Sequence, residues 1–584
     1  MKNLELPIWD LTDFYPSNNS KEFDADISSL DLNVTNFCKK YKGKISKIET
    51  NKIDKAISEY ERIEELIVKI KSYIFLFYCT DQLDQKKVIF YQKTQEKVNK
   101  IESKLIFFTL EINKLNQTKL NKNFKSKYLP WINIQRQFKK YQKNESIEKL
   151  LIDKSTTSSN AWIRLFDETM ARLRFDLNGK KLNETEILDL LSSHDASKRE
   201  QAAEVFGRKL KDNIHLFSII TNTLSKDLQI ENSLRGFKNC DSSRHLSNQV
   251  DSEDVDCLVK TVKKNYAALS HRYYKYKAKV FNVEKLDFWD RNAPYPKQKT
   301  QKISWETARE IVEKAYKDFD IKVYNIIKLF FSNSWIHAPV SNGKMSGAFA
   351  HPVTPSLHPY ILINYQNKVR DVMTLAHELG HGVHQYLAND KGLLLSDTPL
   401  TLAETASVFG EMLTFKSILK KAKTDAQKKN ILRSKIEDML NTVIRQIAFY
   451  EFEKEVHTKR GDGELSVDEI NSIWLKTQKE SFGENIKISG DYKYFWAYIP
   501  HFIHSPFYVY AYAFGDCLVN SLYAKYESGD DKFNEKYIDM LRSGGSRNYK
   551  ELLKEFDLNP KDPEFWQSGL NIIKKLIDDL EQLV

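Results

Sequence analysis

The chain has 584 residues, 41% of them hydrophobic and 29% charged, with a formal net charge of +11. That length exceeds one ordinary hydrophobic core, so the chain should divide into lobes, and the composition excludes a disordered or collagen-like polymer. The excess of lysine is scattered, with clusters at residues 39–55 and 420–429; no aromatic-interleaved basic stripe or zinc-finger spacing accompanies it, so solvated helix faces are expected and a nucleic-acid partner is not.

Five cysteines, Cys38, Cys79, Cys240, Cys257 and Cys517, are few, odd in number and far apart, which argues for a reducing compartment without a disulfide framework. The opening MKNLELPIWDLTDFYP carries acids and proline early and does not have the form of a secretory signal. The most apolar windows, residues 73–79 and 105–110, are too short to cross a bilayer. A cytoplasmic enzyme with no membrane partner is expected.

Residues 1–20 are rich in turn formers and should be irregular. From residue 21 to about 120 the apolar positions recur at helical spacing, as in AISEYERIEELIVKIKSYIFLFY and VIFYQKTQEKVNKIESKLIFFTLEI, which predicts a hairpin of long antiparallel helices. Shorter helices follow Pro130. In RLRFDLNGKKLN, Asn178-Gly179 lies between short extended runs and predicts a β-hairpin. Helices resume over residues 184–281, WDRNAPYP (289–296) breaks them, and another helix is expected over 305–331. Sheet-like character appears at GKMSGAFA (343–350) and PYILINY (359–365), just before a helix over 369–390. The remainder reads as helical to about residue 580. A boundary between lobes is placed near residue 195.

The helix at 369–390 carries His377-Glu378-Leu379-Gly380-His381. Residues four apart stack on one helix face, so His377 and His381 can bind one zinc ion, with Glu378 beside it as general base for a bound water. Gly380 costs about 1 kcal/mol of helix stability relative to Ala, and would let another backbone pass close to the ligands. His384 is excluded as a third ligand, because seven residues of helix separate it from His377 by about 10 Å. The metzincin pattern also fails, since it requires Gly at 384 and His at 387, where His384 and Leu387 stand. The third ligand must come from another element. Glu404, in the helical run TLAETASVFGEML among Leu402, Ala403, Ala406 and Val408, would be costly to bury unless paired or metal-bound. Glu411 shares its face two turns later and competes as ligand or as outer partner. Two His and one Glu leave a fourth position open, which is the catalytic arrangement.

Peptide hydrolysis also needs donors to the developing oxyanion that stay protonated near neutral pH. The stretch YIPHFIHSPFYVYAY (498–512) is dense in them. On a helix, His501, His504, Tyr508 and Tyr512 share a face and Tyr510 points away, while Pro506 bends the start.

HELGHGVHQ, TLAETASVFGEML and PHFIHSPFYVYAYAFG together resemble the oligoendopeptidase F branch of the M3 (thimet oligopeptidase-like) zinc peptidases, as do WDLTDFYP, WDRNAPYP and GKMSGAFAHP…HPYILINYQ. The resemblance implies a mostly α fold: two helical lobes flanking a deep substrate channel, with a zincin-type active site and a small β-sheet next to the metal helix. It implies an N-terminal helical domain of oligoendopeptidase F type at 1–195 and an M3 catalytic domain at 196–584. One Zn²⁺ per chain would be held by His377, His381 and Glu404, with Glu378 as base; Glu404 lies 23 residues past His381, the family's spacing, where a thermolysin-like peptidase would want the Glu near Thr401. His501 matches the family's downstream catalytic His. The family's transition-state tyrosines differ in spacing by about a residue from those here; by helix face Tyr508 and Tyr512 are assigned that role, with Tyr510 an alternative donor and His504 and Tyr510 near the substrate. Gly347, Ala348 and Phe349 match a substrate-lining strand.

The expected function is therefore a zinc-dependent metalloendopeptidase that hydrolyses internal bonds of short unfolded peptides by attack of a zinc-activated water. A zinc carboxypeptidase or peptidyl-dipeptidase of similar build is the enzymatic alternative, and it would need a cation to hold the substrate's C-terminal carboxylate. A catalytically dead peptide-binding protein is the non-enzymatic one, against which the intact His377, Glu378, His381 and Glu404 speak.

Overall fold

The computed structural model describes residues 6–115, 120, 125–295 and 302–583. Helices dominate, as expected. Helix α1 (Lys21–Tyr41) starts at Ser20, whose hydroxyl accepts the Phe23 amide, and buries Phe23, Ile27, Leu30, Val34, Phe37 and Tyr41 along one stripe. Helices α2 (Thr50–Cys79) and α3 (Gln85–Glu102) form the long hairpin, with Asp84 capping α3 through the Lys86 amide. Residues 1–5, 116–119 and 121–124 and Pro296, over which parts of the expectations for 1–20, 21–120 and WDRNAPYP extend, lie outside the described residues.

Strands β1 (Phe175–Leu177) and β2 (Lys180–Leu182) pair antiparallel, Phe175 opposite Leu182. Asn178 and Gly179 sit at φ 54° and 79°, the left-handed pair that a two-residue hairpin turn requires. The helix expected over 305–331 is two helices. Helix α4 (Trp305–Phe319) ends at Asp320, whose extended backbone (φ −157°) breaks the run and whose carboxylate caps α5 (Ile321–Ser332) through the Lys322 and Val323 amides.

Three short strands follow: β3 (Ile336–His337), β4 (Phe349–His351) and β5 (Tyr360–Leu362). Their order is β3-β5-β4, with β3 parallel and β4 antiparallel to the buried centre β5. The Ile361 and Ile363 amides bond the Trp335 and His337 carbonyls, so β5 offers alternate residues to its two neighbours, and β4 is an edge. Most of the stretch expected as strand at 343–350 is a loop. Gly343 and Gly347 take φ of 81° and 82°, and the buried Lys344 ammonium donates to the carbonyls of His337 (3.2 Å), Pro339 (2.6 Å) and Ile363 (2.7 Å). Those three bonds replace the ladder that an extended chain would have made.

Helix α6 (Val369–Ala388) packs on α7 (Thr405–Lys421). A Cβ at Gly380 would lie 2.4 Å from the Ala406 carbonyl oxygen, so the missing side chain does let the second backbone reach the first. Further on come α8 (Ile444–Arg460), α9 (Tyr510–Glu527) and α10 (Pro563–Gln582), the last two in contact at Gly569, where a Cβ would meet the Cys517 carbonyl at 2.5 Å.

Packing divides the chain into two compact units. The first comprises Met1–Lys140, Thr300–Lys421 and Ser528–Asp557 and holds α1 to α7 except for the β1–β2 hairpin between them; the second comprises Tyr141–Lys299, Ala422–Glu527 and Leu558–Val584. All five cysteines are unpaired. Among the described residues no helix is long and apolar enough to cross a membrane.

Candidate metal centre

In the first unit, α6 presents His377 and His381 on one face, as the four-residue spacing requires. Glu404 is not inside a helix, as the sequence pattern suggested. It closes the short turn Leu400–Ala403 and immediately precedes α7, and its carbonyl accepts the Val408 amide. Ser407 Oγ donates to Glu404 Oε2 at 2.6 Å and steadies the carboxylate at this break.

The donor atoms close a triangle. His377 Nε2 lies 3.2 Å from His381 Nε2, and Glu404 Oε2 lies 3.5 Å and 3.6 Å from the two nitrogens. Ligands bound tetrahedrally at about 2.0–2.1 Å stand about 3.3–3.4 Å from one another, so the three atoms are spaced to hold an ion of zinc's size. These three residues are a His/Cys/Asp/Glu group able to hold a metal.

Glu411 is not one of the three, and it meets His377 on the ring nitrogen away from the triangle. Its Oε1 accepts from His377 Nδ1 at 2.5 Å, which turns the lone pair of Nε2 inward. Burial disfavours the charged imidazole, but Glu411 outweighs it and raises the His377 pKa to about 9. His381 goes the other way, to about 4, through burial that nearby Glu404 only partly offsets. Glu411→Ala is expected to weaken metal binding by about 10- to 100-fold, the usual worth of an outer partner, while leaving the fold intact. Competition against a zinc-sensitive dye measures it, and unchanged affinity would remove Glu411 from the centre.

Glu378, 6% exposed, receives a hydrogen bond from the Ala350 amide of β4. Burial, with Glu404 and Glu411 adding to it, raises its pKa to about 7. A carboxyl poised there is matched to proton transfer near neutrality. Gln385, seven residues along the same face, donates to the Ala350 carbonyl at 3.2 Å. Sequence reasoning missed this pairing, although the spacing from Glu378 was visible. His384 is buried among α6 neighbours, 3.4 Å from Thr398 Oγ1 and apart from the cluster. Of the expected substrate strand, Gly347 and Ala348 line a small cavity, whereas Phe349 pairs with β5 and packs on Phe75.

The second unit holds the histidine–tyrosine stretch, and the single helix expected there does not form. His501–His504 makes one turn, and α9 starts at Tyr510. Between them Phe507 adopts φ 61°, and its amide bonds the buried Glu453 Oε1 at 2.9 Å. That contact pulls the backbone out of helical register. His501, Tyr508 and Tyr512 nevertheless converge: His501 Nε2 is 3.1 Å from the Tyr512 hydroxyl, and the two tyrosine rings lie 5.2 Å apart, edge to face. Arg244, unremarked in the sequence, lies over the Tyr508 ring and donates to the Pro506 carbonyl. Tyr510 points away, but into the core. It is 0% exposed, and its hydroxyl meets His245 Nδ1 (3.0 Å) and Asn248 Nδ2 (2.9 Å), so it is not placed to touch a substrate. His504 also leaves the expected face; its Nε2 pairs with Asp167 at 2.8 Å.

The model of peptidase family M3 matches residues 189–572, and that of oligopeptidase F matches residues 111–175. Oligopeptidase PepF of Bacillus subtilis is 27% identical over 99% of this chain and 87% of its own length. An oligoendopeptidase F homolog of Borreliella burgdorferi is 28% identical over 98% of both. The crystal structure of oligoendopeptidase-F from Enterococcus faecium shares the fold, with a TM-score of 0.71 at 20% identity, covering 96% of this chain and 99% of that one. A metal-capable His-His-Glu triangle behind an H-E-x-x-H helix, within a chain matched over most of its length, makes this protein a member of peptidase family M3, in its oligoendopeptidase F branch.

Proposed function

We propose that the protein is a zinc-dependent oligoendopeptidase that cleaves internal bonds of short, unfolded peptides. The observation that carries this reading is the triangle of His377, His381 and Glu404, with Glu378 buried beside it. Two imidazoles and one carboxylate suit zinc among the divalent metals, and three protein ligands leave a position for water. The chemistry the metal supplies when bound is acidification of that water and polarisation of the scissile carbonyl.

The chain's own residues do the rest. Glu378 takes the proton of the attacking water and passes it to the departing amine as the C–N bond breaks. The Ala350 amide holds its carboxylate in place. His501, Tyr508 and Tyr512 serve as neutral donors to the oxyanion, a role supported by their convergence and by the family resemblance. Names of the relatives, oligopeptidase and oligoendopeptidase, support peptides as the substrate class. The matched ranges 111–175 and 189–572 support a division of the sequence into an N-terminal segment to 195 and a catalytic segment beyond it. Five unpaired cysteines support action in the cytoplasm.

The test is hydrolysis of peptides blocked at both ends, with and without a chelator. Cleavage that stops on chelation and returns with zinc is expected; full activity in a metal-free preparation would end the proposal. Tyr512→Phe is expected to lower kcat by about 10²- to 10³-fold with KM little changed, because the carbonyl carries its full charge only in the transition state. Tyr510→Phe should instead leave kcat near that of the wild type and lower the melting temperature, since it strips a partner from buried His245 and Asn248. Kinetics in which Tyr510→Phe is the crippled variant would reverse the assignment.

A further inference from the structure

A cavity of about 320 Å³ lies in the first unit beside the N-terminal half of α6, lined by Gly347, Ala348, Asn364, Arg370, Asp371 and Thr374. Two features give it a direction and a charge. The first is the outer edge of β4. Phe349 and His351 face β5, whereas both backbone groups of Ala350 turn outward, to Glu378 and Gln385. By the two-residue alternation of an extended chain, Ala348 turns its amide and carbonyl to the same outer side, where no backbone partner among the described residues meets them. Gly347 ends the run: its φ of 82° turns the chain away, and Asn364 Nδ2 holds its carbonyl at 2.9 Å. A peptide pairing antiparallel with this edge, the more stable sense, runs from Ala350 toward Ala348, so its C-terminal end enters the cavity.

The second feature is Arg370. Arg370 lines the cavity, and among the described residues it forms no ion pair. The one acid there, Asp371, is committed: its Oδ2 accepts the amides of Gln366 (2.7 Å) and Lys368 (2.9 Å). Asp371 keeps its charge but turns it to those amides, whereas Arg370 has no bonded acid among the described residues. A carboxylate entering here would be met by a planar fork of donors. Seven residues of helix place Arg370 about 10 Å from His377 along the axis, and an extended peptide spans that in about three residues.

We propose that this cavity is the seat of the substrate's C-terminal α-carboxylate, with Arg370 as its counter-ion, and that it favours cleavage two or three residues from a free C-terminus. This deepens the peptidase reading and rests on it. An exposed ion pair alone contributes little. Here strand pairing along Ala348 already fixes the peptide, so the guanidinium need not pay the entropy of orienting it.

The experiment uses the full chain loaded with zinc and two quenched fluorescent peptides of one sequence. Both carry three residues after the cleaved bond; one ends in a free acid and the other in an amide. The acid should be preferred in kcat/KM by about 10- to 100-fold, the worth of a charge-assisted bidentate pair. Arg370→Gln should bring the ratio to about one, and Arg370→Lys should keep part of it. A wild-type ratio near one, or a ratio that Arg370→Gln leaves unchanged, overturns the proposal. Cleavage of the doubly blocked peptide tests the peptidase reading separately. Should that fail, calorimetry of the corresponding tripeptide acid and amide with Glu378→Gln protein still decides: the acid should bind about 10-fold or more tighter, and equal affinities sink the carboxylate seat.

Discussion

Glu378→Gln is expected to retain one metal per chain and lose about 10²- to 10⁴-fold in kcat. The amide has nearly the shape of the carboxylate, and the Ala350 amide can still donate to its oxygen, so the loop and β4 have no reason to move. What the amide lacks is basicity, and general-base transfer is worth that range. The same substitution has a signature in stability. In the metal-free protein burial raises the Glu378 pKa to about 7, against about 4.3 in an unfolded chain. A raised folded-state pKa means that stability is full below about pH 4 and is lost as pH rises through 7. Glu378→Gln should remove this part of the pH dependence, so that the metal-free variant is at least as stable as wild type above neutrality. Parallel urea titrations at pH 5 and pH 8, with zinc content and kcat from the same preparations, would show it. A variant with wild-type kcat would take Glu378 out of the chemistry.

Glu404→Ala should fail earlier, at metal binding. It deletes one corner of the donor triangle, leaving His377 and His381 3.2 Å apart with no carboxylate between them. Loss of affinity should exceed the roughly 100-fold upper figure for an outer partner, so that dialysed protein holds no stoichiometric zinc. Activity should fall with it and return only in part at high zinc. Comparison with Glu411→Ala ranks the two acids, because Glu411 touches His377 through Nδ1, the nitrogen turned from the cluster. If Glu404→Ala kept its zinc and Glu411→Ala lost it, the roles would be exchanged.

The parts of this site that sequence made legible are those set by local periodicity. His377 and His381 are bound to share a face by four residues of helix, and Gly380 announced the close passage of a second backbone. Between Glu404 and Glu411 the pattern was silent, since seven residues of regular helix put both on one side. The kink at Glu404 brings its carboxylate to the two Nε2 atoms and leaves Glu411 at Nδ1, and it is a tertiary event. The tyrosines show the same limit. A continuous helix separated Tyr508 and Tyr512 from Tyr510, and the separation holds although that helix does not exist; the amide of Phe507 is claimed by Glu453, 54 residues earlier in the chain. The grip of Ala350 on Glu378 left no trace at all, because a backbone amide is the same in every sequence. In the fold, the break at Asp320 was legible in principle, as an Asp that caps the helix behind it.

The interleaving of the two units bears on how the protein is made. The segment Phe533–Arg542 packs against α6, and it belongs to the last of the three stretches from which the first unit is assembled, which runs to Asp557. A ribosome adding about 5–20 residues per second reaches Asp557 roughly 8–30 seconds after Glu404 has been joined. For that interval His377, His381 and Glu404 exist on a nascent chain whose unit lacks its closing stretch, and the second unit waits for the residues beyond it. A chain cut short between Glu404 and Asp557 therefore carries His377, His381 and Glu404 but an unfinished compact body to hold them.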